Sequence, residues 1–326
     1  MRLPSLLLSC FARQSLALPA VLLVALTATF PVRAEFSFVA IGDTAYNGAR
    51  DYPLYEQLID RINSTDPEFT IHVGDLWGAG SCGDKEMDRA AEFFARYDHP
   101  LVYTPGDNEW TDCWVEGLGR FDPLERLAEL RTRFFPTAES LGMTPMPLVR
   151  QADLAADESA ASALVENARW ERDRVLFVTV HVPGSQNGAD HSSLDLMQEF
   201  MARNQANVAW INDGFRYAIQ QDLPAVVIAL HAELFASNQH RRGPFGAVLQ
   251  ALREGSERFG KPVLLIHGDF HQFVIDRPLF ESRGEEEMPR YANLTRLQVH
   301  GAPELVAVRV TVNPDTAGVF GFEPIH

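Results

Sequence analysis

The chain has 326 residues, of which 46% are hydrophobic and 22% charged, and its formal net charge is −16. This composition is typical of a globular protein and excludes a disordered or fibrous one. The strong negative charge argues against nonspecific nucleic-acid binding and against adsorption to an anionic membrane surface, because both need a basic face.

Residues 1–34 have the features of an export signal. Arg2 and Arg13 supply positive charge at the start, residues 15–30 carry no charge, and Val32 and Ala34 place small side chains at the positions that a signal peptidase reads. The apolar run is shorter than the ~18–20 residues that a membrane span needs. We therefore expect cleavage after Ala34, an exported protein that is periplasmic or secreted, and no stable membrane anchor afterwards.

Beyond the signal, short strand-like runs alternate with amphipathic helical patterns. The predicted strands are residues 36–41, 69–73, 101–103, 175–181, 225–230 and 262–267. The predicted helices are residues 52–62, 85–97, 123–135, 194–220 and 245–259. This alternation predicts an α/β fold in which helices cover the strands.

The remaining segments complete one predicted domain over residues 35–326. The late runs 295–299 and 305–312 have no helix between them and predict an antiparallel closing portion. Residues 136–170, with prolines at the start and many alanines and acids after, are interpreted as an insertion over one edge that shapes the substrate pocket.

Two cysteines remain after signal removal, because Cys10 leaves with the signal and Cys82 and Cys113 stay. Two thiols in an oxidising compartment favour one disulfide. Such a bond would stabilise the fold by about 3–4 kcal/mol. The alternative is two separate buried thiols.

Gly-Asp pairs directly follow four of the predicted strands. The aspartates concerned are Asp43, Asp75, Asp107 and Asp269. Any one of them could be a turn former or a helix cap, but ligands of open α/β sheets bind beyond the carboxyl ends of strands. Carboxylates that converge there repel one another, and they either become protonated or hold a cation. With histidines His231, His267 and His271 close to them in the pattern, the residues predict a divalent-metal site, with two ions as the favoured number.

These residues resemble the ordered motifs of the calcineurin-like metallophosphoesterases, the superfamily that includes purple acid phosphatases. The matching blocks are Gly42-Asp43, Gly74-Asp75, Gly106-Asp107-Asn108-Glu109, His231 and Gly268-Asp269-Phe270-His271. The resemblance implies a β-sandwich flanked by helices (four layers, α/β/β/α) and a phosphoester hydrolase with two metal ions and a metal-bound hydroxide. It also implies that Asp43 and His271 bind the first metal, that Asp75 bridges, and that His231 binds the second.

Three blocks depart from the family pattern. Ala45 stands where the first block often has a histidine ligand, although Tyr46 could supply an oxygen. Asp107 occupies the place of an asparagine ligand and Asn108 that of the catalytic histidine, unless a one-residue shift makes Asn108 the ligand. Asp269 replaces the first histidine of the last block.

These departures change the expected chemistry. Carboxylates in place of neutral donors favour Mn²⁺ or Mg²⁺ over an Fe/Zn pair. Asn108 is then the candidate catalytic residue, as a hydrogen-bond donor to developing charge. The loss of an imidazole near the leaving group predicts slow turnover of substrates with poor leaving groups.

Two further residues are candidates for binding a small phosphorylated substrate. His181 ends a predicted strand and either faces the substrate or only supports the site. Arg241 could bind a phosphate with two hydrogen bonds, or remain a solvated charge. The rival function is a catalytically impaired family member that binds a metal or a phosphorylated ligand.

Overall fold

The computed structural model describes residues 35–78, 82–156, 159–235, 243–283, 286–289 and 293–326. The predicted signal and Arg241 lie outside the described residues. Among the helices of the described part, none is long and apolar enough to cross a membrane.

The described chain alternates strands and helices in the order that the sequence predicts. The strands are β1 (Phe36–Ile41), β2 (Thr70–His72), β3 (Leu101–Tyr103), β4 (Val149–Arg150), β5 (Ala168–Arg172), β6 (Val175–Thr179), β7 (Ala225–Ala229), β8 (Val263–His267), β9 (Val274–Asp276), β10 (Phe280–Arg283), β11 (Glu286–Pro289), β12 (Leu294–Gln298), β13 (Ala307–Val312) and β14 (Phe320–Ile325). The α-helices are α1 (Tyr52–Ser64), α2 (Asp84–Phe94), α3 (Pro123–Phe134), α4 (Gln151–Leu154), α5 (Leu194–Gln220) and α6 (Gly246–Phe259).

Two large sheets form the centre of the protein. The five-stranded sheet has the order β14-β13-β1-β2-β3, and the seven-stranded sheet has the order β4-β5-β6-β7-β8-β12-β9. Strands β1, β2 and β3 are parallel, as are β6, β7 and β8. The carboxyl ends of each parallel set therefore lie at one edge of its sheet.

Apolar side chains fill the space between the sheets and the space outside each of them. Between the sheets, the ring of Phe38 stacks on Phe69 at 5.3 Å and meets the edge of Phe177 at 5.3 Å. Helices α1 to α3 cover the five-stranded sheet, and helices α5 and α6 cover the other. The structure thus confirms the four-layer α/β/β/α sandwich.

One strand runs in a direction that the sequence did not predict. The sequence predicted that both late strands are antiparallel. The prediction is correct for β13, which pairs antiparallel with β1 and β14, but wrong for β12. Strand β12 lies parallel to β8 and pairs antiparallel only with β9. The reason is that β9 to β11 return the chain before β12 begins, and the hydrophobic pattern of a buried strand is the same in both directions.

The segment 136–170 lies at one edge of the seven-stranded sheet. It supplies β4, α4 and the first part of β5, and Leu141 bridges to Leu101 at the start of β3. Its boundary as an insertion and its contribution to a substrate pocket remain predictions.

The structure confirms the predicted disulfide between Cys82 and Cys113, which closes a sequence separation of 31 residues. Both cysteines are buried, and the sulfur of Cys82 lies 3.4 Å from the carbonyl oxygen of Asn108. The bond therefore fixes the chain that follows β3 to the start of α2.

Replacing both cysteines with serine is expected to lower the free energy of unfolding by about 3–4 kcal/mol, since the unfolded chain gains the freedom of the open loop. Urea denaturation of the oxidised wild type and the double variant measures this difference. A reductant should destabilise the wild type and leave the double variant unchanged. Equal midpoints for the wild type in the two redox states would contradict the prediction.

Candidate metal centre

Polar side chains converge where the two sheets end. Asp43, Asp75 and Asp107 follow β1, β2 and β3, whereas His231 and Asp269 follow β7 and β8. Backbone hydrogen bonds tie these ends together: the N–H of Asp43 donates to the carbonyl of Gly74 at 3.0 Å, and that of Gly268 donates to the carbonyl of His231 at 2.9 Å. The predicted ligands are therefore in one place.

His231 is the centre of this cluster. Two groups, Asp43 with Asp75 and His231, and Asp107 with His231 and Asp269, each have ligand atoms within 4.8 Å of one another and could hold a metal ion. The Nε2 atom of His231 lies 2.9 Å from Asp107 Oδ1 and 3.4 Å from Asp75 Oδ1. Its Nδ1 atom lies 2.7 Å from the carbonyl oxygen of Val73, so Nε2 points into the cluster.

The chemistry of these atoms fits a cation. Asp43 Oδ2 is buried and has no hydrogen-bond partner among the described residues, and the buried Asp107 Oδ1 and His231 Nε2 have none there beyond their 2.9 Å contact with each other. Buried carboxylate oxygens without donors are costly in a protein unless a cation binds them. The arrangement is suited to oxygen and imidazole coordination of divalent ions.

The shifts in pKa point to the same need for positive charge. Burial raises the pKa of Asp43 to about 7, and burial also raises the pKa of Asp75 well above its usual value. Burial alone would lower the pKa of His231, but the carboxylates of Asp75, Asp107 and Asp43 outweigh burial and raise it well above the usual value. A protonated imidazole thus supplies part of the positive charge that a divalent ion would supply, and ion binding would release that proton.

The backbone at these positions adopts an uncommon conformation. The φ angles of Asp43, Asp75 and Asp269 are 52°, 55° and 78°, in the left-handed region. Residues other than glycine rarely adopt it, although aspartate does so more readily than most. Such strain is concentrated at functional sites, where the surrounding structure maintains it.

The glycines of two Gly-Asp pairs make room for the carboxylate of a neighbouring strand end. A Cβ atom at Gly268 would overlap Oδ2 of Asp43, and one at Gly106 would overlap Oδ1 of Asp75. Glycine is therefore required here for packing against the ligands as well as for the turn.

Replacing Gly268 with alanine is expected to weaken metal binding by at least tenfold, because the new methyl group displaces the Asp43 carboxylate. Isothermal titration of the metal-free protein with Mn²⁺ measures the change. Gly117→Ala is the matched control, since a Cβ there has no heavy atom within 4 Å. Equal affinities for Gly268→Ala and Gly117→Ala would show that the Asp43 carboxylate tolerates the displacement.

Tyr46 and Asn108 lie beside Asp75. The Tyr46 hydroxyl donates to Asp75 Oδ2 and accepts a hydrogen bond from Asn108 Nδ2 at 3.0 Å. Asn108 Nδ2 also donates to the carbonyl of Trp77 at 2.8 Å. Backbone N–H groups of Asp107 and Asn108 donate to Asp75 Oδ1 at 3.1 and 3.2 Å, so Asp75 is held from both sides.

His271 completes the cluster on the side of Asp43. Its Nε2 atom lies 3.5 Å from Asp43 Oδ1, and its Nδ1 atom lies 3.0 Å from the carbonyl oxygen of Ala302. The edge of the His271 ring meets the ring of Tyr46 at 4.7 Å. Burial lowers the pKa of His271, which keeps the ring neutral and able to bind a metal ion.

His181 lies apart from these ligands. Its side chain is fully buried, its Nδ1 atom lies 2.7 Å from Glu166 Oε1, and its Nε2 atom accepts a hydrogen bond from Trp110 Nε1 at 3.1 Å. Both ring nitrogens are thus used within the protein. The sequence left two roles open for His181, substrate binding and support of the site. The buried position fits the supporting role.

Two residues near the cluster had no predicted role. The buried carboxylate of Glu109 accepts N–H groups from Leu76 at 2.5 Å and Gly106 at 2.9 Å, and so joins the ends of β2 and β3. The sequence signal that could have indicated a role for Glu109 was its place at the end of the motif Gly106-Asp107-Asn108-Glu109. Ser185 donates to Asp107 Oδ2 at 2.7 Å, and its distance of 78 residues along the chain gave no local signal.

The comparison with protein-family models agrees with the geometry. The model of the family described as calcineurin-like phosphoesterase matches residues 36–273. A solved structure titled "GAP50 the anchor in the inner membrane complex of Plasmodium" has a TM-score of 0.48 and 8% identity, over 90% of this chain and 89% of that one. No curated protein sequence matches the chain significantly. Because the family model covers well over half of the sequence, the chain belongs to the calcineurin-like phosphoesterase family.

Proposed function

We propose that this protein is an exported hydrolase of phosphoesters that uses two divalent metal ions held by the Asp/His cluster. The observation that carries the proposal is the set of three buried ligand atoms, Asp43 Oδ2, Asp107 Oδ1 and His231 Nε2, that have no hydrogen-bond partner among the described residues outside the cluster, at the strand ends of a calcineurin-like phosphoesterase. When bound, divalent ions neutralise phosphoryl oxygens and lower the pKa of a water molecule for attack on phosphorus.

The geometry supports a division of the ligands between two positions. Asp43 and His271 form the first position and His231 and Asp107 the second, while Asp75 lies between them. Asp269 adds a carboxylate beside His231 and Asp107, where its Oδ2 atom also accepts the N–H of Glu233 at 2.9 Å.

The choice between Asp107 and Asn108 as ligand follows from their neighbours. Asp107 Oδ1 faces the imidazole of His231 at 2.9 Å, whereas the amide of Asn108 donates to Tyr46 and Trp77. This favours Asp107 as the ligand. Asn108 is then free to exchange its contact with Tyr46 for a phosphoryl oxygen, to which its N–H would donate as negative charge develops.

Metal content and hydrolysis test the proposal together. Residues 35–326, purified without chelator, are expected to contain about two divalent ions per chain and to release 4-nitrophenol from 4-nitrophenyl phosphate or from bis(4-nitrophenyl) phosphate. Prior dialysis against a chelator should remove both the bound ions and the hydrolytic activity, and added metal should restore them. Metal-bound protein that hydrolyses neither compound would contradict the proposed activity.

The metal preference is a separate expectation. Turnover is expected to be higher with Mn²⁺ or Mg²⁺ than with Zn²⁺, since the cluster is rich in carboxylates. The measurement is the rate per bound ion after metal-free protein is loaded with each metal. Asp269→His is the informative variant, because the added imidazole should shift the preference toward Zn²⁺. A clear preference of the wild type for Zn²⁺ would contradict the expectation.

Export is supported by the Cys82–Cys113 disulfide, since such bonds persist in oxidising compartments. Expression of the full chain with a C-terminal tag tests it. Mass spectrometry of the product is expected to show a mature N-terminus at Glu35 outside the cytosol.

Asn108 favours one alternative, a family member that binds a phosphorylated ligand without turnover. An amide cannot donate a proton to a leaving group as a histidine would, and here it is already bonded to Tyr46 and Trp77. Metal-dependent binding of inorganic phosphate by protein that hydrolyses neither nitrophenyl ester would select this alternative.

A further inference from the structure

A cavity of about 430 Å³ lies beside the second metal position. Its lining includes Thr111, Asp112, Trp114, Ser185, Gln186 and Asp190. The Ser185 hydroxyl donates to Asp107 Oδ2 at 2.7 Å, so the cavity and the metal cluster share a wall. The substituent of a phosphoryl group held at the cluster would therefore be able to reach this cavity.

The first wall of the cavity is fixed by the disulfide. Cys113 stands between Asp112 and Trp114 and is joined to Cys82. The N–H of Asp112 donates to the carbonyl of Asp107 at 3.2 Å. The side chains of Asp112 and Trp114 are thus carried by a short, cross-linked segment that begins at a predicted metal ligand.

A second wall is a strained loop that the buried Arg203 holds in place. Ser185, Gln186 and Asn187 have φ angles of 42°, 60° and 57°, three consecutive left-handed residues without a glycine among them. The buried Arg203 donates to Asn187 Oδ1 at 2.6 Å and to its carbonyl oxygen at 2.8 Å. A loop maintained against such strain is typical of a site that is formed before its ligand arrives.

The lining has a definite chemical character. Trp114 is 62% exposed, which leaves a flat apolar ring available to a ligand. The charged residues among the described lining are Asp112 and Asp190, both acidic. The cavity therefore attracts cations and hydrogen-bond donors and repels carboxylates and additional phosphates.

We propose that this cavity binds the leaving group of the substrate, and that this leaving group is an aromatic alcohol that carries an ammonium or another hydrogen-bond donor group. The proposal rests on the proposed phosphoesterase function and specifies its substrate class. In the reaction the P–O bond to the aromatic oxygen breaks and a bond from phosphorus to water oxygen forms. The released phenolate takes up a proton, and phosphate is the other product.

Two aryl esters of similar size test the charge preference: the phosphates of 4-(aminomethyl)phenol and 4-hydroxybenzoate. The quantity measured is the ratio of kcat/KM for the ammonium ester to that for the carboxylate ester, in the wild type and in Asp112→Asn. The variant is expected to lower this ratio about tenfold, since one attractive and one repulsive charge interaction are lost. Comparing the two proteins cancels the intrinsic difference in reactivity between the esters.

Asp173→Asn serves as the control. Asp173 is an exposed acid in the turn between β5 and β6, at the end of β6 away from the metal cluster, and its φ of 47° suits asparagine equally well. The Asp173→Asn substitution removes the same charge from the protein and should leave the kcat/KM ratio of the two esters unchanged. An Asp112→Asn ratio equal to that of Asp173→Asn would overturn the proposal while leaving the phosphoesterase function standing.

A binding measurement decides the case if no ester is hydrolysed. Benzylamine and benzoate are titrated into the wild type and Trp114→Phe while tryptophan fluorescence is recorded. Saturable quenching by benzylamine, weaker with benzoate and absent in Trp114→Phe, supports the cavity even if the proposed activity fails. Equal quenching by both compounds, or none, overturns it.

Discussion

Replacing Asp75 with asparagine is expected to reduce metal content from about two ions per chain to one or none and to lower kcat/KM for phosphoester hydrolysis by about 10³-fold, equal to ~4 kcal/mol of transition-state free energy. Asp75 lies between the two proposed metal positions, and its Oδ1 atom is 3.4 Å from His231 Nε2. Asparagine keeps the shape of the side chain but removes the charge and one of the two oxygens. Elemental analysis and steady-state kinetics on the same preparation give both quantities.

The chain offers a matched control in a further Gly-Asp pair, Gly83-Asp84, beside the four at strand ends. Asp84 follows Gly83 at the start of α2, where its exposed carboxylate lies 2.9 Å from Arg126 Nη1, and it does not end a strand. Asp84→Asn changes the same dipeptide and should retain both ions and full activity. Retention of two ions by Asp75→Asn, or a rate within tenfold of the control, would remove Asp75 from its place between the ions.

The contrast between these two aspartates shows why much of the site could be predicted from the sequence. Asp43, Asp75 and Asp107 follow strands that pair in parallel, so their positions along the chain translate directly into proximity. Asp84 has the same preceding residue but no preceding strand. A local sequence pattern is sufficient to predict a site when the pairing of strands in a sheet brings separate segments of the chain together.

Other parts of the site depend on contacts that no local pattern records. Ser185 reaches Asp107 through a loop whose conformation is maintained by Arg203, and neither residue belongs to a recognisable motif. The direction of β12 likewise depends on how the preceding chain returns, since a buried strand reads the same in either direction. Such features follow from tertiary packing and not from periodicity.

The clearest example is a buried network of charged and polar side chains that includes Trp110, the residue after the motif Gly106-Asp107-Asn108-Glu109. The carboxylate of Glu166 is fully buried and accepts hydrogen bonds from Arg131, at 2.6 Å from Nη2 and 3.0 Å from Nε. It also meets His181 Nδ1 at 2.7 Å. Trp110 Nε1 can only donate, so His181 Nε2 must accept, and the single proton of the neutral ring lies on Nδ1 facing Glu166. Burial lowers the pKa of His181, which is consistent with the neutral ring.

Replacing Glu166 with alanine is expected to lower the free energy of unfolding by about 3–5 kcal/mol, since the change leaves the guanidinium of Arg131 and the N–H of His181 without their buried acceptor. Urea denaturation near neutral pH measures the loss. Glu171→Ala is the matched control, because that exposed glutamate on β5 bonds only to the Tyr217 hydroxyl among the described contacts. A loss no larger than that of the control would show that the network contributes nothing measurable.

The same network predicts a dependence on pH. Burial by itself would raise the pKa of Glu166, but the charge of Arg131 and the hydrogen bond from His181 more than offset burial and hold that pKa well below its usual value. Its contribution to stability is therefore fully present above the unfolded-state pKa of about 4.3 and declines as the pH falls below that value toward the lowered folded-state pKa. The difference in unfolding free energy between the wild type and Glu166→Gln should accordingly be constant from pH 7 to 5 and shrink on further acidification. A difference that stays constant down to pH 3 would show that Glu166 titrates alike in the folded and unfolded chains.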